Sequence, residues 1–432
     1  MGLGLLGRGV GDAKFIASCK PKKFLITDLK SKDELKTSLN ELQGLDIDFR
    51  LGEHQRHDFE NADTVLKAAG IPKNSQYLEV ARQNDAQILM STAIAAKYAQ
   101  DLGVIVVGIT GTRGKSSTTQ MIYSALKNKY KSGQVFLGGN VRGVSTLELA
   151  RKFKKGDVLV LELDSWQLQG FGDLKISPNI AVFTNFYPDH MNYYKDLDEY
   201  FSDKANIFKH QDLARGDILF VSDEIYELVK GHNPLVEPYE VSRIPEEWQL
   251  KVLGNHMRAN AALALEVLSQ MGLSMPEIKE ELENFAGVEG RMEFLGEING
   301  VKVYNDNNAT SPEAAIAAID AVLAAKGDSD RIILIAGGKD KGLPLQKLAD
   351  KINESVDILI LLENDGTEKL KEFLDIDFLE FESLQDATNA AFGKAKKGDV
   401  ILFSPAFASF SHEFKNEYER LDAFKKIVLS QG

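Results

Sequence analysis

Gly103-Val104-Ile105-Val106-Val107-Gly108-Ile109-Thr110-Gly111-Thr112-Arg113-Gly114-Lys115-Ser116-Ser117-Thr118-Thr119 decides the fold class of this chain. A β-branched apolar run of strand length stops at a glycine turn, and a helical pattern (Met121, Ile122, Ala125, Leu126) starts just after the Lys-Ser pair. Strand, loop, helix is the order a phosphate cradle requires. Glycines let backbone N–H groups converge on phosphate oxygens, the helix N-terminus adds partial positive charge, Lys115 reaches the β- and γ-phosphates, and the Ser116 hydroxyl can hold Mg²⁺. The strict pattern places glycine where this chain has Ile109; Gly108 and Gly111 are the nearest, so the loop is a variant. A glycine turn that binds nothing is the bland alternative.

Working outward, strand-like runs at 157–163, 178–185 and 217–221 alternate with helical patterns, which implies a mostly parallel sheet covered on both faces. Glu162 and Asp189-His190 follow or end two of these runs, where α/β sheets place ligands. Glu162 could complete a Mg²⁺ site with Ser116, or be a surface carboxylate. Lys204, in Tyr200-Phe201-Ser202-Asp203-Lys204-Ala205, reads as an ordinary helix lysine. Gly254-Asn255-His256-Met257-Arg258-Ala259-Asn260 opens a helix whose amides could read a base edge or simply cap it. Gly290-Arg291-Met292 precedes a hairpin with strands at 294–298 and 301–305 joined by Asn299-Gly300, a favoured two-residue turn. Strands at 331–336, 356–362 and 399–403 follow, and the polar loops 337–342 and 404–409 suit a small carboxylate.

At the other end, Gly2-Leu3-Gly4-Leu5-Leu6-Gly7 fits a dinucleotide-type fingerprint, with Asp28 about twenty residues on and placed to accept from a ribose or base. Such a fingerprint should follow a strand, and none precedes it here. His54 and His57 lie in a polar segment and are expected to be solvated.

The chain has 432 residues, too many for one ordinary core, and a 44% apolar fraction that argues for globular folding throughout. A net charge of −13 argues against nucleic-acid binding or an anionic membrane surface, and the single Cys19 against a disulfide framework. No apolar run approaches a membrane span, so a cytoplasmic protein is expected.

Taken together, Thr110–Ser116, Glu162, Asn185 with Asp189-His190, Lys204, His256 with Asn260, Arg291, Asp306 and the 404–409 loop occur in the order seen in Mur ligases, and the resemblance covers nearly the whole chain. Gly138-Gly139-Asn140, Asp306-Asn307-Asn308-Ala309-Thr310, Gly337-Gly338 with Lys341, and Ser404–Ser409 followed by Phe414-Lys415-Asn416 look most like the D-glutamate-adding branch. The resemblance implies three α/β domains: a Rossmann-like domain for the UDP-sugar (1–102), a phosphate-loop domain for ATP (103–293), and a Rossmann-like domain for the amino acid (294–432). It implies a cytoplasmic, monomeric ligase using ATP, UDP-N-acetylmuramoyl-L-alanine and D-glutamate. Gly111, Thr112, Gly114, Lys115, Ser116, Ser117, Asn260, Arg291 and Asp306 would then contact the nucleotide. Ser116 and Glu162 would hold one Mg²⁺ and His190 a second, supported by a carbamylated Lys204; Lys115, Glu162, His190 and Lys204 would form the catalytic set. Gly4, Gly7, Asp28, Lys30, Asn140, Ser165 and Gln167 would line the sugar-nucleotide side, and Thr310, Lys341 and Ser409 would hold D-glutamate. Departures bear on the acceptor: Asn308 stands where that branch commonly carries lysine, and Phe407 where it carries a small residue. A relative adding another amino acid, a folylpolyglutamate-synthase-like ligase, and a nucleotide-binding protein without ligase activity are the alternatives.

Overall fold

A computed structural model describes the chain except for Leu6, Asn192, residues 234–237, Ser242, residues 410–412 and Lys415. Leu6 of the glycine fingerprint and Lys415 of the Phe-Lys-Asn segment therefore lie outside the described residues. Two compact units form, Met1–Ile244 with Ala259–Lys279, and Pro245–Arg258 with Glu280–Gly432. Both are α/β. Among the described residues no helix is long and apolar enough to cross a membrane.

In the first unit, two short parallel pairs come first: β1 (Leu25–Asp28) with β2 (Asp48–Leu51), and β3 (Thr64–Leu66) with β4 (Gln87–Leu89). The chain start runs between them. Gly2 N–H donates to Thr27 O at 2.8 Å, and Ala68 N–H donates to Met1 O at 3.0 Å. Two residues thus occupy the position of the strand that the glycine fingerprint calls for. His54, expected in solvent, is instead buried against Thr27, with the Phe59 and Tyr77 rings at 5.9 and 5.2 Å. A neutral imidazole is apolar enough to fill that gap, and burial pushes its pKa down. His57 stays exposed.

The main sheet of this unit contains β5 (Ile105–Thr110), β6 (Val135–Gly139), β7 (Val158–Glu162), β8 (Ile180–Phe183), β9 (Ile218–Ser222) and β10 (Tyr239–Val241). Their order is β10-β9-β8-β5-β7-β6, all parallel. Val106 and Val107 point to opposite faces and both are fully buried, as a parallel sheet covered by helices on both sides requires. After β5 the chain fills one side, β6 at the edge and then β7 between it and β5, and afterwards builds outward on the other through β8, β9 and β10. The carboxyl end of β5 is therefore a switch point, where a crevice opens.

The second unit has β11 (Glu293–Ile298), β12 (Val301–Asn305), β13 (Ile332–Ala336), β14 (Ile358–Leu362), β15 (Phe378–Phe381) and β16 (Val400–Phe403), in the order β11-β12-β16-β13-β14-β15. Only β11 runs antiparallel, through a turn in which Asn299 (φ 54°) and Gly300 (φ 80°) are both left-handed. That is the twist-matched two-residue hairpin expected of Asn-Gly. Helices Pro312–Leu323 and Gln346–Ser355 cover one face of the sheet through Ala315, Ile319, Leu348 and Ile352. Helices Leu384–Lys394 and Glu417–Leu429 cover the other through Leu384, Ala391, Phe424 and Val428.

Candidate active site

Strand β5 ends at Thr110, just before Gly111 (φ 148°), and helix Lys115–Lys129 begins after Gly114 (φ 80°) without a side-chain cap. Both glycines are needed. A Cβ on Gly111 would lie 1.9 Å from Thr184 Oγ1, and one on Gly114 would lie 2.4 Å from Asn260 Oδ1. The loop is braced by the end of β8: Arg113 N–H donates to Asn185 Oδ1 at 2.8 Å, Thr112 N–H to Asn185 O at 2.9 Å, and Thr184 Oγ1 to Arg113 O at 2.5 Å. Thr184 was not singled out from sequence; its place directly after a strand, beside Asn185, is the signal that could have found it. Thr118 and Thr119 keep buried hydroxyls with no partner among the described residues.

Two lysines meet on this loop. Lys115 Nζ donates to Gly111 O at 3.0 Å and to Thr112 O at 2.9 Å, while Lys204 Nζ donates to the same Gly111 O at 2.7 Å. Far from being an ordinary helix lysine, Lys204 is 1% exposed. Its helix Leu197–Ala205 puts it on one apolar stripe with Tyr200 and Phe201, followed by Ile207 and Phe208. Burial, helped by the neighbouring Lys115 charge, holds its ammonium well below the usual lysine range. Lys204 therefore sits beside the phosphate loop with the charged form of its amine disfavoured.

Glu162 closes β7, in register with Ile109 of β5 and Gly139 of β6. It is 7% exposed rather than on the surface, and Asn140 Nδ2 donates to its Oε1 at 3.4 Å. His190 (φ 57°) sits in the loop after β8, its ring 4.7 Å from that of Trp166. Asn192 of the same loop lies outside the described residues. Ser165 and Gln167 open helix Ser165–Asp173, and both are buried. Gln167 also closes a capping box with Asp164 and donates to Thr92 Oγ1 at 3.3 Å, so its amide is a brace for the helix start. Asp28 likewise holds the glycine turn: Leu3 N–H (2.8 Å) and Gly4 N–H (3.1 Å) donate to Oδ2, and Lys30 N–H to Oδ1 (2.9 Å). Gly7 (φ 80°) stands at the start of helix Arg8–Ser18, with its Cβ direction 3.6 Å from the Gly143 backbone, in the loop that follows Asn140.

Gly114→Ala should raise the nucleotide KM about tenfold or more, since a left-handed alanine costs roughly 1–2 kcal/mol and Asn260 must also move. Steady-state kinetics with varied ATP checks this.

In the second unit, three loops at the carboxyl ends of the neighbouring strands β12, β16 and β13 are laced together. Asp306 N–H donates to Phe403 O (2.7 Å), Ala406 N–H to Ala309 O (2.9 Å), and Gly337 N–H to Pro405 O (2.9 Å); Lys339 and Ala408 form a bridge. This brings Thr310, the 337–342 loop with Lys341, and buried Ser409 to one edge. Arg291, exposed, precedes Met292, whose N–H donates to Asp306 Oδ1 at 3.1 Å; Ser404 Oγ donates to Oδ2 at 3.0 Å. Asn307, quoted above within the 306–310 stretch but given no role of its own, and Arg420 are buried at the base of this edge.

Burial raises the Asp306 pKa from 3.8 to about 7. The folded state therefore holds its proton more tightly than the unfolded chain. The stability this contributes is complete below pH about 4 and is lost as pH rises through about 7. Asp306→Asn should remove this dependence, making the variant more stable than the parent at pH 8 by on the order of 2–4 kcal/mol and closer to it at pH 5. Urea unfolding at the two pH values measures it.

Comparison with known proteins agrees with this geometry. Residues 109–244 match the Mur ligase middle domain, and residues 290–407 match the Mur ligase glutamate ligase domain. The UDP-N-acetylmuramoylalanine--D-glutamate ligase of Borreliella burgdorferi (strain ZS7) is 34% identical over 100% of this chain and 97% of its own length. That of Roseiflexus sp. (strain RS-1) is 33% identical over the same shares. Among solved structures, UDP-N-acetylmuramate-alanine ligase MurC from Thermotoga maritima superposes with a TM-score of 0.61 at 19% identity, covering 100% of this chain and 98% of that one. MurF ligase from Thermotoga maritima in complex with ADP gives a TM-score of 0.56 at 18% identity, covering 87% and 100%. With a braced phosphate loop, matched domains on both sheets and full-length relatives above 30% identity, the chain belongs to the Mur ligase family.

Proposed function

We propose that this protein is an ATP-dependent ligase that joins D-glutamate to UDP-N-acetylmuramoyl-L-alanine through an acyl phosphate, as the names of its full-length relatives suggest. The observation that carries the reading is the convergence of Lys115 and Lys204 on the Gly111 carbonyl, which brings two lysine side chains to the phosphate loop, the buried one with its charged form disfavoured. In this reading residues 1–102 receive the sugar nucleotide, 103–293 ATP, and 294–432 the amino acid.

Lys115 and the first-turn amides of helix Lys115–Lys129 stabilise charge on the γ-phosphoryl group as it passes to the alanyl carboxylate. The bond from phosphorus to the β–γ bridging oxygen breaks as the new carboxyl O–P bond forms, and ADP leaves. The amine of D-glutamate then adds to the activated carbonyl, phosphate departs, and a proton lost from nitrogen leaves an amide. Thr310, Lys341 and Ser409 hold the acceptor's carboxylates, Asn260 lies against adenine, and Arg291 and Asp306 support the nucleotide.

The donor set suits Mg²⁺: a buried carboxylate at Glu162 and the Ser116 hydroxyl are oxygen ligands of the kind that ion takes, with water and substrate oxygens completing its shell. Ser116 and Glu162 would hold one ion and His190 a second, where Mg²⁺ supplies neutralisation of phosphate charge. In its uncharged form, which burial favours, Lys204 can add to CO₂, forming an N–C bond and releasing a proton, and the resulting carbamate is an anionic oxygen donor.

An assay of ATP-dependent phosphate release with UDP-N-acetylmuramoyl-L-alanine and a panel of D- and L-amino acids tests the reading. Release that depends on both the sugar nucleotide and D-glutamate is expected; release with another acceptor, or none, overturns it.

A further inference from the structure

Asp203, the residue before Lys204 in helix Leu197–Ala205, is 3% exposed. Its carboxylate is held at both oxygens: Oδ2 accepts from Gln169 Nε2 at 2.9 Å, and Oδ1 pairs with the Lys73 ammonium. Gln169, on helix Ser165–Asp173, is buried, and its Oε1 accepts from Lys67 Nζ at 3.1 Å. Lys67 is buried as well and also donates to Ile71 O at 3.1 Å. Tyr193, three residues after His190, joins the cluster: its hydroxyl accepts from Gln169 Nε2 at 3.2 Å and from Lys73 N–H at 3.4 Å. The Gln169 amide thus ties the segment after β3 to the loop that carries His190 and to the helix that carries Lys204. None of these side chains belongs to the catalytic set named above.

Consecutive residues of an α-helix point about 100° apart. Lys204 anchors its helix on one side through Gly111 O, and Asp203 anchors it on the next through Gln169 and Lys73. Two anchors so placed set the rotation of the helix about its own axis. Lys204 Nζ is the reacting atom of the two, so a rotation that must hold while that nitrogen changes its bonding rests on Asp203. A well-packed apolar pair at 73 and 203 would make the buried contact at no loss of stability; a hydrogen-bonded carboxylate adds a fixed direction.

We propose that Asp203, held by Gln169 and Lys73, is the positioning residue that keeps Lys204 turned toward the phosphate loop. Lys67 acts one step further out: an ammonium can only donate, so its contact fixes which end of the Gln169 amide is oxygen and leaves the nitrogen for Asp203. This rests on the ligase reading above for the role of Lys204 and adds the residues that aim it.

The double variant Lys73→Met with Asp203→Leu removes both charges and leaves neither buried alone, so its urea midpoint should match or exceed the parent's. Turnover should nevertheless fall about 10- to 100-fold, the cost of misplacing a reacting group by about 1 Å, with the ATP and D-glutamate KM values within about twofold. A pulse of acetic anhydride in bicarbonate-free buffer, read by mass spectrometry, should label Lys204 several-fold faster in this variant than in the parent. Lys73→Arg, which keeps the ion pair, should match the parent in turnover and in labelling. Asp203→Asn, which removes only the charge, should move both readouts in the direction of the double variant, and it settles the outcome if that variant does not fold. Parent-like turnover or parent-like labelling in a folded variant overturns the proposal. Turnover that falls only as far as the urea midpoint falls also overturns it and leaves Asp203 a structural brace. Labelling needs no ligation, so it tests the aim of Lys204 even where the unmodified protein fails to use D-glutamate, and that failure sinks the ligase reading separately.

Discussion

Lys115→Ala is expected to lower turnover roughly 10³-fold, the loss typical when one preorganised donor to developing charge is removed. Lys115 Nζ is tethered by two carbonyls at the mouth of the loop, Gly111 O and Thr112 O, so its ammonium is oriented before nucleotide arrives. Removing it deletes two charge-assisted hydrogen bonds, on the order of 1.5–3 kcal/mol each, so the variant should still fold but with a lowered unfolding midpoint. It also removes a cation beside Lys204, and the Lys204 pKa should rise as that repulsion disappears. Single-turnover phosphate release, alongside thermal unfolding, separates the two effects. Near-normal turnover in a folded Lys115→Ala protein would rule out phosphoryl transfer at this loop.

Lys204→Ala should cost about 10²-fold or more in turnover if the amine serves as an anionic donor after reaction with CO₂. The prediction turns on the uncharged form of the amine. A protonated lysine cannot add to CO₂, and burial at 1% exposure beside a second lysine disfavours the protonated form of Lys204. Three outcomes are expected together: recovery of part of the lost activity on adding acetate or another short carboxylate, a carbamate signal from the parent protein in ¹³C-bicarbonate by NMR, and loss of that signal in the variant. Undiminished activity of Lys204→Ala would remove the carbamate from the mechanism. Loss without rescue and without the parent signal would make Lys204 a buried hydrogen-bond donor to Gly111.

Local chemistry was legible in the sequence where the chain states it contiguously. The loop from Gly111 to Ser116 and the Asn299-Gly300 hairpin each fit inside a few residues, and φ-positive glycines sit where the turns demand them. Parallel strands were legible as β-branched runs because burial on both faces leaves no polar alternation to confuse. Lys204 was harder: a lysine in a helix is ordinarily solvated, and only its alignment with Tyr200, Phe201 and Phe208 betrays an inward direction. His54 misled in the opposite sense, because Glu53, Gln55 and Arg56 around it are polar while the aromatic rings that enclose it come from elsewhere. The Arg420–Asn307 contact spans 113 positions, and no local pattern announces a partner so distant.

Because Asn185 and Thr184 already fasten the Arg113 backbone, the phosphate loop is spared the ordering that a floppy turn would undergo at each encounter. Capture of triphosphate should then be fast and depend weakly on temperature, and the Arg113 amide should exchange slowly with deuterium even without nucleotide. A rigid grip on phosphates is indifferent to the base attached to them. Preference for adenine over guanine must be set by contacts beyond the phosphates.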